Sequence, residues 1–266
     1  MTTKRLTIAD IRHQKGRTPL VCLTAYTAPI ARLLDPHCDI LLVGDSLGMV
    51  IYGYESTLPV TIDMMALHGQ CVVRHSQHAC IVIDMPFGSY QTSPEQAFAN
   101  AAYLLSETGC QAVKLEGGVT MADTIYFLTK RGIPVIGHVG LEPQSVNIYG
   151  SYRARGINSD EKKMIMKDAL SVQEAGAGAI VLENIPQTLA HDITQKLNIP
   201  TIGIGACAQC DGQIVVSDDM FGLSPFQPRF VKTYAHTADI IQQAALEYAQ
   251  DVKSRSFPDI THCTIK

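Results

Sequence analysis

Apolar residues in this chain cluster in short, unbroken runs rather than alternating with polar ones. Ile40-Leu41-Leu42-Val43, Cys80-Ile81-Val82-Ile83 and Ala179-Ile180-Val181-Leu182 are the clearest. Runs of this length, rich in β-branched residues, suit strands buried on both faces of a sheet. The pattern predicts strands over 21–24, 40–43, 80–84, 112–116, 134–138, 179–183, 201–204 and 214–217. Helical periodicity falls between them, over 28–34, 62–75, 94–108, 121–131, 160–175 and 186–197, with a last helix over 238–253. A short helix over 7–14 precedes the first strand and stops at Gly16. Two helix starts carry capping signals: Ser93 before Pro94 and Glu95, and Ser159 before Asp160 and Glu161.

Eight strand-like units separated by helices imply a parallel sheet covered on both faces. A length of 266 residues fits closure into a (β/α)8 TIM barrel, typically ~250 residues, read as a single domain over 1–266 with a short N-terminal helix. A doubly wound open sheet is the alternative. It would show a glycine-rich loop after its first strand, and Leu23-Thr24-Ala25-Tyr26-Thr27 is no such loop.

Hydrophobic content of 46% with 17% charged residues supports a large buried core. A net charge of −4 provides no basic footprint for nucleic acid. No apolar run approaches the roughly 20 residues that span a bilayer, and the polar N-terminus does not read as a signal peptide. The eight cysteines are scattered, several inside strand-like runs, and Cys207-x-x-Cys210 lacks a second pair of zinc ligands. Reduced thiols and a cytoplasmic location are expected.

Four of the apolar runs end in, or lead into, an acid: Asp45, Asp84, Glu116 and Glu183. In a β/α barrel the C-terminal ends of the strands carry the chemistry. Four carboxylates meeting there repel one another unless a cation neutralises them. A hard divalent ion such as Mg2+, which takes oxygen ligands and keeps waters, is the natural partner. Lys114 lies two residues before Glu116 on the same strand, so both point to one side. It adds a positive charge suited to an anionic substrate. His138, at the end of the fifth strand, reads first as a structural hydrogen-bonder. His68 and His75 read as surface or core residues. Gly203 and Gly205 suit either a phosphate loop or mobile loop backbone for a ligand contact, and Arg153 and Arg155 either a lid or an oligomer contact.

These residues sit in longer motifs: VGDSLGM (43–49), STLPVT (56–61), DMPFGSY (84–90), VKLEGG (113–118), PVIGHVGLEPQSVN (134–147), VLENIP (181–186), IPTIGIGA (199–206) and DGQIVV (211–216). Together and in this order they resemble the ketopantoate hydroxymethyltransferase family, over about residues 20–234. The resemblance implies a β/α barrel of the phosphoenolpyruvate/pyruvate type, usually assembled as a homodecamer. It implies Mg2+ binding by Asp45, Asp84 and Glu116, the last through a bound water. It implies substrate contacts from Asp45, Ser46, Asp84 and Lys114, and a proton acceptor at Glu183. The implied reaction moves a hydroxymethyl group from 5,10-methylenetetrahydrofolate to 3-methyl-2-oxobutanoate, giving 2-dehydropantoate and tetrahydrofolate, through a Mg-stabilised enolate in pantothenate biosynthesis.

The residue types fit that chemistry. A 2-oxo acid chelates Mg2+ through its keto and carboxylate oxygens, and a carboxylate off the metal can take the C3 proton. The chain departs from the family pattern at Tyr54-Glu55, Glu142, Cys207 and Asp218-Asp219, none of them a metal or base position. A carbon–carbon lyase resembling isocitrate lyase would place a reactive cysteine after the fourth strand, and Gly117-Gly118-Val119-Thr120 has none. A homologue that has lost catalysis would be expected to lack one of the four acids.

Overall fold

The computed structural model describes residues 4–224 and 228–264. Its described residues group into two compact units, Met1–Val216 and Ser217–Lys266, where the sequence reading draws one domain over 1–266.

In the first unit, eight parallel strands close on themselves in chain order. They are β1 (Leu20–Thr24), β2 (Ile40–Val43), β3 (Cys80–Asp84), β4 (Ala112–Glu116), β5 (Val135–Gly140), β6 (Ala179–Glu183), β7 (Thr201–Ile204) and β8 (Gly212–Val215). The helices up to β6 are α1 (Ile8–Arg12), α2 (Ala28–Leu34), α3 (Leu47–Val50), α4 (Ile62–Arg74), α5 (Pro94–Thr108), α6 (Ala122–Thr129), α7 (Val146–Tyr149) and α8 (Ser159–Glu174). After β6 comes α9 (Gln187–Lys196). The predicted barrel is therefore observed, with α3 and α7 as extra helical turns in the loops after β2 and β5.

The barrel interior is filled by alternate strand residues. Leu20 and Cys22, Ile40 and Leu42, Cys80 and Val82, Ala112, Ile136, Ala179 and Val181, Ile202 and Ile214 form one buried cluster. Ile11 of α1 joins the cluster, with Leu6 and Ile8 packed against it. The N-terminal helix thus closes the end of the barrel at which the strands begin. Its cap is local: Thr7 and Asp10 exchange side-chain-to-backbone hydrogen bonds in a capping box.

The same parity carries upward. Residues two positions apart on a strand share a face, so Asp84 follows Val82, Lys114 and Glu116 follow Ala112, His138 follows Ile136, and Glu183 follows Val181. The interior changes from apolar to charged at the C-terminal ends of these strands.

Three expectations are corrected. Strand β5 runs on to Gly140 because Val139 and Gly140 pair with Leu182 and Glu183. Gly140 has φ +105°, and a Cβ there would lie 2.4 Å from the Glu183 carbonyl oxygen, so only glycine permits this approach. Strand β8 starts earlier, at Gly212, and ends at Val215. Asp218 and Asp219 consequently lie in the helical turn α10 (Ser217–Met220) of the second unit, not in a strand. The cap of α8 is Asn158, whose side chain accepts from the Glu161 N–H at 2.9 Å, while Ser159 is already helical. The Ser93 cap of α5 is as expected, accepting from Gln96 N–H. In the second unit the long helix α11 spans Thr237–Ser254.

Candidate active site at the barrel mouth

Strand register assembles the site. Asp84 is paired with Lys114 across β3 and β4, and Glu116 with His138 across β4 and β5. The Lys114 Nζ lies 2.7 Å from Asp84 Oδ1 and 3.2 Å from His138 Nδ1. Asp45 follows β2 through Gly44, and its backbone N–H donates to Asp84 Oδ2 at 3.1 Å. A Cβ at Gly44 would meet Ser46 Oγ at 2.8 Å, so the serine hydroxyl would have to turn away. Ser46 stands next to Asp45, its hydroxyl 2.8 Å from that of Tyr26.

Glu183 ends β6, with Oε2 at 3.4 Å from His138 Nε2. The imidazole Nε2–H donates to the Leu141 carbonyl at 2.8 Å, which leaves Nδ1 as the acceptor facing Lys114. All four acids, Ser46 and Lys114 thus come together at one mouth. His138 lies between Lys114 and Glu183, a central place that a lone histidine at a strand end does not signal.

Burial sets the electrostatics. Asp45, Asp84, Lys114, Glu116 and His138 are all buried. Burial, then repulsion from Asp84, raises Asp45 to about 7 against the pull of Lys114. Burial raises Asp84, with Lys114 opposing. Burial likewise pushes Glu116 far above the usual carboxylate range. Glu183 rises to about 8 through burial, offset in part by Lys114 and increased by Asp45 and Asp84. Burial works against the Lys114 ammonium, but Asp84, Glu116 and Asp45 together overcome it and keep the lysine charged. His138 is held neutral by burial and by Lys114.

Four carboxylates around one lysine leave an excess of oxygen donors, whose raised proton affinity an added cation would lower. Oxygen donors in that excess are what a hard divalent ion prefers. Among the described residues, no three His, Cys, Asp or Glu side chains converge as a ready-made metal cage. The Asp45 and Asp84 carboxylates, brought together by the Asp45 N–H donating to Asp84 Oδ2 at 3.1 Å, suit an ion that takes one or two protein carboxylates and fills its other positions with water and substrate oxygens.

Two residues here were not singled out by the sequence reading, although both lie inside its motifs. The Gln144 side chain donates to Asp45 Oδ2 at 2.9 Å, and its backbone N–H donates to Glu116 Oε2 at 3.0 Å. The Tyr90 hydroxyl donates to Gln144 Oε1 at 2.7 Å and accepts from the Glu116 N–H at 3.2 Å.

The remaining positions have local roles. Arg155 stacks on Tyr149, 4.2 Å from the ring centre to the guanidinium carbon, and pairs with Glu161 at 3.1 Å. Its N–H donates to the Asn184 carbonyl, which anchors the loop after α7 beside Glu183. Glu142 accepts from the Tyr149 hydroxyl at 3.2 Å and is pushed up to about 7 by burial. Glu55 is exposed. Gly203 belongs to β7, where a Cβ would meet Cys210 Sγ at 3.1 Å, so its small size serves packing. Cys207 and Cys210 lie 3.7 Å apart, and all eight cysteines are free thiols. His68 bridges the Tyr26 carbonyl and the Tyr52 hydroxyl, as expected of a structural residue. No helix among the described residues is long and apolar enough to cross a membrane.

Comparisons with solved structures identify the fold. Phosphonopyruvate hydrolase, solved with oxalate and Mg++, superposes with a TM-score of 0.61 at 10% identity, covering 97% of this chain and 93% of that one. The 2,3-dimethylmalate lyase, a PEP mutase/isocitrate lyase superfamily member, gives 0.56 at 14% identity, covering 94% and 99%. Sequence relatives are much nearer. The 3-methyl-2-oxobutanoate hydroxymethyltransferase of Brucella canis is 59% identical over 98% of this chain and 96% of its own length. That of Agrobacterium fabrum is 58% identical over 97% and 93%. The ketopantoate hydroxymethyltransferase family profile matches residues 5–260. With relatives this near over almost its whole length, and a family profile that matches residues 5–260, the chain belongs to the ketopantoate hydroxymethyltransferase family of enzymes.

Proposed function

We propose that this enzyme transfers a hydroxymethyl group from 5,10-methylenetetrahydrofolate to 3-methyl-2-oxobutanoate, forming 2-dehydropantoate and tetrahydrofolate in pantothenate biosynthesis. The observation that carries the reading is the charged layer at the barrel mouth, in which Asp45, Asp84, Lys114 and Glu116 lie together and Glu183 stands apart on β6. Asp45 and Asp84 would hold Mg2+, with Glu116 acting through water. When bound, the ion supplies Lewis-acid polarisation of the keto group, favouring loss of the proton from C3.

The chain's own groups do the rest. Lys114 and Ser46 bind the substrate carboxylate, and Asp84 and His138 fix the direction of the ammonium. Glu183 takes the C3 proton. A base raised to about 8 is basic enough to accept it and still ionises near neutral pH. His138 is neutral, so it offers Glu183 no counter-charge that would lower that basicity. Water hydrolyses the folate's one-carbon unit to formaldehyde, breaking both carbon–nitrogen bonds, with its two protons going to the folate nitrogens. The C3 electron pair then adds to that carbon, and the former carbonyl oxygen takes the C3 proton back from Glu183 to become the hydroxyl. Assembly as a homodecamer and residence in the cytoplasm belong to the same proposal. Light scattering tests the first by a particle ten times the chain mass.

The decisive experiment is loss of the C3 proton signal of 3-methyl-2-oxobutanoate in D2O, followed by NMR with Mg2+ and then with EDTA, without folate. Magnesium-dependent exchange that disappears in Glu183→Ala is expected. Exchange retained in that variant would overturn the assignment of Glu183 as the base.

A further inference from the structure

Gln144 is fully buried in function as well as in space. It sits in the short turn Pro143–Ser145 after β5, 4% exposed, and every hydrogen-bonding group of its amide is engaged. The Nε2 atom donates to Asp45 Oδ2 at 2.9 Å and to the Met85 carbonyl at 3.0 Å. The Oε1 atom accepts from the Tyr90 hydroxyl at 2.7 Å and from Gln91 Nε2 at 3.2 Å. The orientation of the amide follows from its partners. The Met85 carbonyl can only accept, so Nε2 must face it, and this places Nε2 against Asp45 as well. Its own backbone N–H meets Glu116 Oε2 at 3.0 Å.

One residue thus ties together the loops after β2, β3 and β5 and the end of β4. It does so through Asp45 and Glu116, the two proposed metal-site carboxylates that Lys114 does not hold. Asp84 has the lysine at 2.7 Å to hold it; Asp45 and Glu116 have Gln144. The residue type matters as much as the place. An amide gives a donor to Asp45 without adding charge to a crowded anionic mouth, whereas a lysine would neutralise the site and a glutamate would add to the repulsion.

We propose that Gln144 is the positioning residue of the metal site: it holds Asp45 and Glu116 in a binding arrangement before the ion arrives, and Tyr90 holds Gln144. This inference rests on the metal reading proposed above. Partners that orient metal-binding carboxylates without touching the ion typically set its affinity by 10–100-fold. The amide also fixes which Asp45 oxygen it occupies, so Asp45 cannot rotate both oxygens toward the ion.

The test is Mn2+ binding to the full-length protein without substrate, read from the EPR signal of free aqueous Mn2+, for wild type, Gln144→Met, Tyr90→Phe and Asp84→Ala. Gln144→Met keeps the side-chain length and the backbone bond to Glu116 but removes the amide's hydrogen bonds to Asp45, Met85, Tyr90 and Gln91, and its Kd is expected to rise roughly 10–100-fold. Tyr90→Phe touches neither proposed Asp ligand and should show a smaller, several-fold rise. At saturating Mg2+ the C3 proton exchange rate of Gln144→Met should recover most of its loss, because the defect lies in holding the ion. A merely structural role would lower the melting temperature and leave the metal dependence unchanged. A Gln144→Met Kd within twofold of wild type overturns the inference. If that variant does not fold, an unchanged Kd in Tyr90→Phe overturns it instead. Absence of Mn2+ binding in wild type, or binding unaltered by Asp84→Ala, overturns the metal reading itself and the inference with it.

Discussion

Replacing Glu183 by glutamine should make the protein more stable while removing the proposed base. Burial, with repulsion from Asp45 and Asp84, raises this carboxyl from 4.5 to about 8 in the folded protein. Between those two values the folded chain keeps a proton that the unfolded chain has released. Stability therefore falls as pH rises through that window, at ~1.4 kcal/mol per pH unit, to a ceiling of about 5 kcal/mol above pH 8. The side chain is 15% exposed, so solvent screening trims this only to roughly 3–5 kcal/mol. Glutamine has nearly the same shape and no charge, so it escapes this cost. In a chain of this size that corresponds to a melting temperature roughly 6–20 °C higher. The assay is thermal unfolding of both proteins in EDTA, from pH 4.5 to 9, so that no cation masks the repulsion. The two should lie within about 0.5 kcal/mol of each other near pH 4.5, where Glu183 is protonated in the folded state and half-protonated in the unfolded one, and separate steadily up to pH 8 or just above. A difference that does not change with pH, or a less stable Glu183→Gln at pH 8.5, would refute the reasoning.

Two further substitutions probe the frame of the site. Lys114→Met leaves Asp84 buried without its partner, and breaking such a pair costs about 3–5 kcal/mol; chemical denaturation at pH 8 should show that loss, with a raised KM for the keto acid. Gly140→Ala places a Cβ 2.4 Å from the Glu183 carbonyl at φ +105°, and a loss of roughly 2–4 kcal/mol is expected. Gly132→Ala is the matched control: φ is +84° but the Cβ meets nothing, so only the backbone strain of ~1–2 kcal/mol should appear in the same denaturation experiment.

The sequence by itself determined the barrel and the acids at its mouth. A parallel strand buried on both faces must be apolar throughout, so its run shows in composition alone, and the polar residue that breaks the run marks the strand's end. That is why Asp84, Glu116 and Glu183 could be placed at strand ends without coordinates, and why Lys114 and Glu116, two apart, could be assigned to one side. Ser93 was legible as a cap for the same local reason: its partner is the Gln96 N–H, three residues away.

Tertiary structure decided what depends on distant partners. Strand β5 extends to Gly140 only because β6 lies alongside, and no local pattern reports that pairing. Asn158 rather than Ser159 caps α8 because its backbone, at φ −88° and ψ 165°, is still extended there, a one-residue choice that two adjacent capping side chains leave open. The sharpest case is Gln144, whose contact to Asp45 spans 99 residues. A glutamine after a proline in a loop reads as a solvated polar residue. Closing the barrel brings the loops after β2, β3 and β5 over one mouth, and only there do Asp45, the Met85 carbonyl, Tyr90 and Glu116 come within reach of a single side chain.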